Sequence, residues 1–546
     1  MEPVDSFALF LVFAKILMFL VAVCFLVSGL DDLFIDLCFI ARCVYRKYFI
    51  LPKHSPLTEE RLLNSEEKRI AVMIPAWDES AVIQPMLKNT LKAINYKNYT
   101  IFVGTYLNDH ATQREVDCMC VKNDRVQKIV TPHDGPTNKA DCLNWIFNGI
   151  KLHEKKINAR YEIFVMQDCE DVIHPLCYKL FNHLIPGKDM VQLPVESLKT
   201  KWHQMTGGHY LDEFAQSHYK DMLVREALGA SIPAAGVGAA FSRNALDLVC
   251  AKRNNELFSI ESLTEDYEFG FRLHQYKLKQ AFVRFALMKT ETRKSFLTGK
   301  TRLVQRPDVV CVREYFPDKF KFSVRQKSRW VVGITLQGWA NLGWKGGLAT
   351  RYMLFRDRKA ILTNMSSLLG YLLVVLVAGM WAIETVFPDA DHYPALLEKG
   401  SLLWNLLAIN GVMFVNRVFM RGYCVYRLYN LQQALLSFPR MIWGNFINFL
   451  ATGRAISQYM KFLKTGKFIK WDKTAHHYPS EAELAEELAV YRRKLGDLLV
   501  DNRDITSDQL SQALAIQKSK PEKLGHILQE LGWLQPQVLD QALQRQ

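Results

Sequence analysis

Two short segments of this chain combine side chains that suit the transfer of a sugar. Residues 264–266 read Thr-Glu-Asp, so two carboxylates stand side by side, and their mutual repulsion can raise one pKa toward a useful value. Residues 326–330 read Gln-Lys-Ser-Arg-Trp, and the Arg and Trp can hold a chain of sugars. Sugar transfer with inversion needs one carboxylate that removes the proton of the acceptor hydroxyl. We expect Asp266 to be this base, with Glu265 beside it.

Three predicted strands each end in polar side chains. Residues 69–74, 100–106 and 162–166 are apolar and β-rich, and helical patterns separate them, which predicts a mainly parallel sheet. Such sheets bind ligands at the carboxyl ends of their strands. There, one or two carboxylates can hold the divalent ion of a nucleotide-sugar diphosphate, although single turn acids are often merely solvated. The residues concerned are Ala76, Trp77 and Glu79, then Asn108 and Asp109, then Asp168 and Glu170, of which Asp168 and Glu170 are the candidate metal ligands.

Two further residues are candidates for the same site as these carboxylates. Lys139 opens a predicted helix, where a cation and backbone amides can meet a phosphate of the donor. Gly236 lies in a glycine-rich segment that can allow close approach of an acceptor sugar. Taken alone, the first is weak evidence and the second is more often a simple turn.

In this order the motifs resemble those of the processive family 2 glycosyltransferases, which include cellulose, hyaluronan and poly-N-acetylglucosamine synthases. The resemblance spans about residues 67–330 and the flanking apolar segments. It implies a GT-A fold, inverting transfer from a UDP-sugar, Mg or Mn, and Asp266 as the base. It also implies that Gln326, Arg329 and Trp330 lie at the acceptor end and over the diphosphate. Asn108 and Glu170 stand where many relatives have Asp, and both retain oxygen ligands.

Three apolar blocks, residues 7–30, 361–387 and 401–420, are near or above the ~20 residues that cross a bilayer. The first follows an acidic segment and precedes no cleavage site, so we expect a retained anchor. Basic residues flank the blocks on one side, which predicts an N-terminus outside the membrane and cytoplasmic catalytic and C-terminal domains. The resemblance of the whole chain implies that this membrane is a bacterial inner membrane, with the N-terminus in the periplasm. Residues 31–49 are predicted to be an interfacial helix. Residues 431–463 are predicted to be an interfacial helix or a re-entrant segment, and the alternative is a fourth span, which would put the C-terminal tail outside.

The net charge of +14 suits a protein that contacts anionic lipid and an anionic nucleotide. The basic residues flank the apolar blocks and form no separate basic domain, so we expect no nucleic-acid partner. The 11 cysteines are scattered without zinc-site spacing, which favours reduced thiols.

Residues 493–546 contain one helical pattern twice, at a spacing of 29 positions. A small docking bundle would account for it. The repeat also resembles the MshEN domain, a receptor for cyclic di-GMP, which implies two half-sites. The second copy ends on the last residue, so we expect this chain to be part of a longer protein. The half-sites are Arg493, Lys494, Leu495, Gly496 and Gln517, and then Lys523, Leu524, Gly525 and Gln546.

The chain thus divides into an N-terminal transmembrane and interfacial helix (1–50), a GT-A domain (51–350), transmembrane and interfacial helices (351–470), a linker (471–492) and an MshEN-like domain (493–546). We expect a cyclic di-GMP-controlled hexosyl- or N-acetylhexosaminyltransferase that makes an exopolysaccharide or surface glycan. Three spans are few for a channel, so a homo-oligomer or an envelope export partner is expected. The alternatives are transfer of one sugar to a lipid acceptor, and a catalytically idle membrane scaffold or receptor used by a phage.

Overall fold

The structure is a computed structural model that describes residues 3–294, 301–387, 396–466, 478–480, 483–484, 495–501, 504–520 and 522–545. Its strands alternate with helices through the catalytic region. The strands are β1 (Ile70–Pro75), β2 (Tyr99–Thr105), β3 (Val126–Val130), β4 (Ile163–Met166), β5 (Val172–Ile173), β6 (Met190–Gln192), β7 (Val195–Ser197), β8 (Ala239–Ser242), β9 (Gln280–Phe282), β10 (Ala286–Lys294), β11 (Thr301–Val309) and β12 (Val312–Glu314).

The helices fall into three groups along the chain. The first helix and three later ones are long, those of the catalytic region are shorter, and the last four form the C-terminal region. They are α1 (Pro3–Tyr45), α2 (Glu59–Leu63), α3 (Ile83–Ala93), α4 (His110–Lys122), α5 (Lys139–Ile157), α6 (Cys177–Leu184), α7 (Met205–Gln216), α8 (Met222–Ala227), α9 (Arg243–Lys252), α10 (Glu265–Gln275), α11 (Phe320–Trp330), α12 (Gly338–Leu342), α13 (Leu348–Val386), α14 (Leu402–Leu428), α15 (Leu431–Thr465), α16 (Leu495–Asp501), α17 (Ser507–Ser519), α18 (Leu524–Glu530) and α19 (Pro536–Arg545).

The central sheet has seven strands in the order β3-β2-β1-β4-β8-β6-β9. Neighbours from β3 to β4 are parallel, and β8 is antiparallel to both β4 and β6. In the register of the sheet, Pro75 pairs with Gly104 and Met73 pairs with Met166, so β1, β2 and β4 end at one edge. The fold class predicted from the sequence is confirmed: a mainly parallel sheet with flanking helices, several apolar helices and an all-helical C-terminal region.

Three helices of the described chain are long and apolar enough to cross a membrane: Ser6–Lys53, Leu348–Val386 and Leu402–Leu428. They coincide with the three predicted blocks. The helix α15 contains Pro439 and packs on α7, α11, α13 and α14. Its interfacial position stays a prediction.

The interfacial helix predicted for residues 31–49 is not a separate element, because α1 runs without a break through Tyr45. Two acids of this segment, Asp31 and Asp36, are buried and paired. Asp31 lies 2.6 Å from Arg356, and Asp36 accepts a hydrogen bond from Asn416 at 2.8 Å and pairs with Lys220. Neutralised in this way, they join α1 to α13, α14 and the catalytic domain.

The C-terminal helices repeat as the sequence predicts. The starts of α16 and α18, and of α17 and α19, each differ by 29 positions, like the sequence pattern. Most of the predicted linker, residues 471–492, lies outside the described residues. Its described part packs on the catalytic domain: Tyr478 and Leu484 are buried in the core under β1 and β2, and Tyr315 donates to Glu483 at 3.4 Å.

Candidate active site

A cavity of about 630 Å³ opens at the edge of the sheet where β1 and β4 end. Its walls come from both halves of the catalytic region and from the start of α13. Nine residues predicted for donor, metal, base or acceptor line it together: Glu79, Lys139, Asp168, Glu170, Glu265, Asp266, Gln326, Arg329 and Trp330. Segments far apart in the sequence therefore meet around one space.

The candidate base lies at the start of α10, opposite a glycine. The Asp266 carboxylate accepts the amide hydrogen of Tyr267 at 2.8 Å. Gly236 has a φ of +77°, and a Cβ there would lie 2.7 Å from Asp266 Oδ2 and 3.1 Å from Lys139 Nζ. A side chain at position 236 would therefore displace the two groups that face it. This contact explains the glycine better than a simple turn does.

Lys139 connects the two groups of carboxylates. It begins α5, and its ammonium lies 2.6 Å from Asp168 Oδ1. Burial opposes its charge, yet Asp168, Glu265 and Asp266 outweigh burial and raise the pKa of Lys139 above its usual range. Lys139 is therefore positively charged at neutral pH, and it lines the cavity.

Glu265 and Asp266 have different surroundings. Burial, followed by repulsion from Asp266, raises the pKa of Glu265 to about 8, despite Lys139. Burial also raises the pKa of Asp266, while Lys139, the Tyr267 amide and Arg329 oppose the rise. The pKa of about 8 keeps Glu265 mostly protonated near neutral pH, whereas Lys139, the Tyr267 amide and Arg329 favour the charged form of Asp266.

The raised pKa of Glu265 predicts a pH-dependent effect of Glu265→Gln on stability. Between about pH 5 and pH 8 the folded chain keeps a proton that the unfolded chain releases, so this group lowers the free energy of unfolding as pH rises. Glutamine carries no such charge. We expect the apparent Tm of the variant, relative to the unmodified protein, to be higher at pH 9 than at pH 5 in scanning fluorimetry. An equal difference at both pH values would contradict this assignment.

The turn after β4 contains three acids. Glu170 and Asp171 are buried, and Asp171 accepts the amide hydrogen of Asp168 at 2.9 Å. Burial and the neighbouring Glu314, Asp168 and Glu170 raise the pKa of Asp171 well above its usual range. Asp171 thus supports the turn through its hydrogen bond to the Asp168 amide, whereas Asp168 lines the cavity.

Asp168 and Glu170 would hold the divalent ion that the sequence implies. Within the described ranges there is no group of three or more His, Cys, Asp or Glu side chains arranged to bind a metal. A site with one or two carboxylates completed by phosphate oxygens fits this donor set, because Mg²⁺ commonly binds in that way. When bound, the ion would supply positive charge to the leaving diphosphate.

The Trp330 side chain stands on an aromatic cluster. Its ring lies 5.9 Å from that of Tyr210 and 6.2 Å from that of Phe214, and Phe316 stacks on Tyr210 at 4.9 Å. Lys327, on the same helix, pairs with Glu213. Both contacts fix α11 so that Gln326, Arg329 and Trp330 face the cavity together.

Residues that follow β1 and β2 hold the loop around Gly135 in place. Asn108 and Gly135 exchange two hydrogen bonds of 2.8 Å, and the Trp77 ring packs on Gly135. Asp109 caps α4 by accepting from the Thr112 amide at 3.2 Å. Ala76 is fully buried. Contact of Ala76, Trp77, Asn108 and Asp109 with a donor therefore stays a prediction.

Several residues at this site carry no sequence motif. Glu213, Arg225, Glu314 and Asp357 also line the cavity. They come from helices and a short strand that the local pattern does not connect with the carboxylates. The only sequence signal for these four residues is a charged side chain within an apolar stretch.

The C-terminal candidates occupy equivalent positions in the two repeats. A Cβ on Gly496 would lie 2.3 Å from Leu510, and one on Gly525 would lie 2.7 Å from Leu539, so each glycine lets two helices approach closely. Gln517 donates to the Glu522 carbonyl at 2.8 Å. Lys523 and Leu524 stand at the start of α18, as Leu495 does in α16. Arg493, Lys494 and Gln546 lie outside the described residues.

The comparisons with known proteins bear on the class of enzyme and on its family. Residues 163–383 match the family model described as glycosyl transferase family group 2. Together with the sheet and the cavity, this match shows that the chain contains a family 2 glycosyltransferase domain.

The full chain extends the likeness. It is 39% identical to the bacteriophage adsorption protein B of Escherichia coli K12, over 99% of this chain and 72% of that protein, and equally to the bacteriophage N4 adsorption protein B of Escherichia coli O157:H7. It belongs to the bacteriophage adsorption protein B family. The combination of these motifs with Gly-Leu-Asp-Asp at 29–32 and the C-terminal repeat already resembles that protein in sequence, and the comparison confirms the resemblance.

A more distant likeness is to the mannosyltransferase PcManGT from Pyrobaculum calidifontis, solved in complex with GDP-Man and Mn²⁺. It is 12% identical with a TM-score of 0.42, over 79% of this chain and 99% of that one. A likeness of this size carries no argument about the donor of the present protein.

Proposed function

We propose that this protein is an inner-membrane inverting glycosyltransferase that adds sugars from a UDP-sugar to a growing surface glycan or exopolysaccharide, under control of cyclic di-GMP. The observation that carries the proposal is the convergence of Lys139, Asp168, Asp266 and Arg329 on one cavity whose wall includes the start of α13. A sugar made there would already lie beside a helix long enough to cross the membrane.

The proposed reaction assigns one task to each charged group. The acceptor hydroxyl oxygen forms a bond to the anomeric carbon, the bond from that carbon to the diphosphate breaks, and Asp266 takes the hydroxyl proton. Glu265 stays neutral beside it. Lys139 and Arg329 stabilise the charge on the departing diphosphate, and a Mg or Mn ion held by Asp168 and Glu170 would add positive charge there. UDP then leaves with the electron pair of the broken bond.

The length of the product distinguishes polymerisation from its rival, a single transfer to a lipid carrier. The aromatic cluster under Trp330 favours polymerisation, because a rigid indole face can support successive sugars of a chain. Radiolabelled product from the protein in nanodiscs is expected to run as a ladder or a high-mass smear on a gel. A single lipid-soluble band would favour the rival.

Regulation would reach the site through the C-terminal repeat. Two observations support this proposal: the repeats have equivalent glycine–leucine contacts, and the linker residues Tyr478 and Leu484 are buried in the catalytic domain. Cys169, in the turn after β4, belongs to the same apolar core as these two residues, so the buried linker shares its packing with the acid turn. A movement of the repeat could therefore displace the turn that carries the candidate metal ligands through the packed linker.

Replacing Lys523 by Glu is expected to weaken cyclic di-GMP binding at least about tenfold, because a carboxylate would repel the phosphates of the dinucleotide. Binding is measured by calorimetry on the full chain. Lys520→Glu is the matched control: Lys520 is exposed, lies outside the half-sites and only approaches Glu522 and Glu530 at 3.5 and 3.8 Å. Equal affinities for both variants would contradict the proposed half-site.

The proposed setting is the inner membrane, with the N-terminus in the periplasm and the catalytic and C-terminal domains in the cytoplasm. Its proposed partners are membrane lipid and either a second copy of the chain or an envelope protein that accepts the glycan. An idle phage scaffold is the remaining alternative. It would gain support if Asp266→Ala retained every phenotype of the unmodified protein.

A further inference from the structure

The start of α13 is hydrogen-bonded to the helix that carries the candidate base. The Tyr267 hydroxyl donates to Asp357 Oδ2 at 2.6 Å, and Arg225 Nη1 lies 3.0 Å from both oxygens of that carboxylate. Arg225 Nε also donates to the Ser231 carbonyl at 2.6 Å. Tyr267 follows Asp266 directly in the chain. A carboxylate on a membrane-spanning helix thus restrains the residue next to the base.

A second restraint acts on the turn before α10. The π-helical segment Val331–Gln337 continues α11, and Gln337 Oε1 accepts the Leu263 amide hydrogen at 3.0 Å. Its Nε2 donates to the Glu261 carbonyl at 3.1 Å. In the same segment, a Cβ on Gly333 would lie 2.4 Å from Thr264 Oγ1, so the helix lies directly on this turn. The restraint therefore includes the residue that precedes Glu265.

We propose that Asp357 and Gln337 are positioning residues, which hold the start of α10 so that Asp266 points at the acceptor hydroxyl. Asp357 acts through Tyr267, and Gln337 acts through the backbone of residues 261–264. The proposal rests on the proposed role of Asp266 as base.

The restraint originates in the membrane helices. Asp357 neighbours Arg356, which pairs with Asp31 of α1 at 2.6 Å, and Lys359 pairs with the same acid. The position of α13 is therefore fixed relative to α1, and the base is fixed relative to α13. A displacement of about 1 Å at a reacting group can cost roughly a hundredfold in rate, so such a restraint has a large effect on turnover.

Hydrogen exchange and kinetics on the full chain in nanodiscs test this proposal. Tyr267→Phe and Asp357→Asn are each expected to raise amide exchange in residues 264–270. Each should lower kcat about tenfold to a hundredfold, with less than about twofold change in the KM of the donor. Because both variants weaken the same Tyr267–Asp357 contact, the double variant should be no slower than the slower single variant. Asp318→Asn, the same chemical change at an exposed acid, should leave both readouts unchanged.

Unchanged exchange in residues 264–270, or independent losses that multiply in the double variant, would overturn the proposal. A rise in the KM of the donor as large as the fall in kcat would also overturn it, since that pattern indicates general disruption of the site. Gln337→Ala serves as a second variant and should raise exchange in residues 261–265 if Asp357→Asn does not fold. The exchange readout needs no turnover, so it remains decisive even if the unmodified protein releases no UDP and the proposed function fails.

Discussion

Asp266→Asn is expected to lower kcat about a thousandfold, because asparagine cannot take the proton of the acceptor hydroxyl. Affinity for the donor should change by less than about twofold, since asparagine preserves the size of the side chain. The loss is measured as UDP release at saturating donor, and donor binding is measured separately by calorimetry.

Glu265→Gln is the matched control for this variant. Burial and Asp266 raise the pKa of Glu265 to about 8, so the group is already neutral at pH 7 and glutamine imitates it. We expect it to retain activity within about tenfold at pH 7, well above Asp266→Asn. If Glu265→Gln lost as much activity as Asp266→Asn, the assignment of base and neutral neighbour would be wrong.

Lys139→Gln is expected to have the second largest effect, about a hundredfold loss of kcat at pH 7. Removal of the cation takes away the charge that opposes the rise in the pKa of Asp266, so a smaller fraction of the base is ionised at a given pH. It also removes the partner that lies 2.6 Å from Asp168. The acidic limb of the pH–rate profile should therefore move to higher pH, and raising the pH should restore part of the activity.

Two lysine variants sharpen this test. Lys139→Arg keeps the charge and should leave the acidic limb close to its original position. Lys128→Gln breaks a more exposed pair, in which Lys128 lies 2.7 Å from Asp117, and should not change the profile. A fall in kcat for Lys139→Gln without any movement of the limb would contradict the electrostatic role.

Local patterns in the sequence predicted much of the sheet and of the site. Apolar runs bounded by polar turns placed β1, β2 and β4, because buried parallel strands require such runs. Spacing identified the C-terminal repeat, because duplication leaves equal intervals. The acids after these strands were expected to lie close together, because parallel strands end at the same edge of a sheet.

Local patterns did not predict the contacts between segments that are distant in the sequence. Residues 31–45 continue the first helix, and Asp31 pairs with Arg356 of α13, a pairing that no local pattern encodes. Likewise, Asp109 looks like a donor ligand after a strand, yet it also caps α4. The bond from Tyr267 to Asp357 joins residues 90 positions apart. Each depends on the tertiary fold, which brings charges together after the local elements have formed.

UDP release from purified protein in nanodiscs, measured with a panel of UDP-sugars and Mg or Mn, each with and without cyclic di-GMP, tests the proposed function most directly. The unmodified protein is expected to turn over one donor only when the dinucleotide is present, and Asp266→Asn is expected to be inactive with that donor. No UDP release from any donor despite measured dinucleotide binding, or equal release by the Asp266→Asn variant, would contradict it.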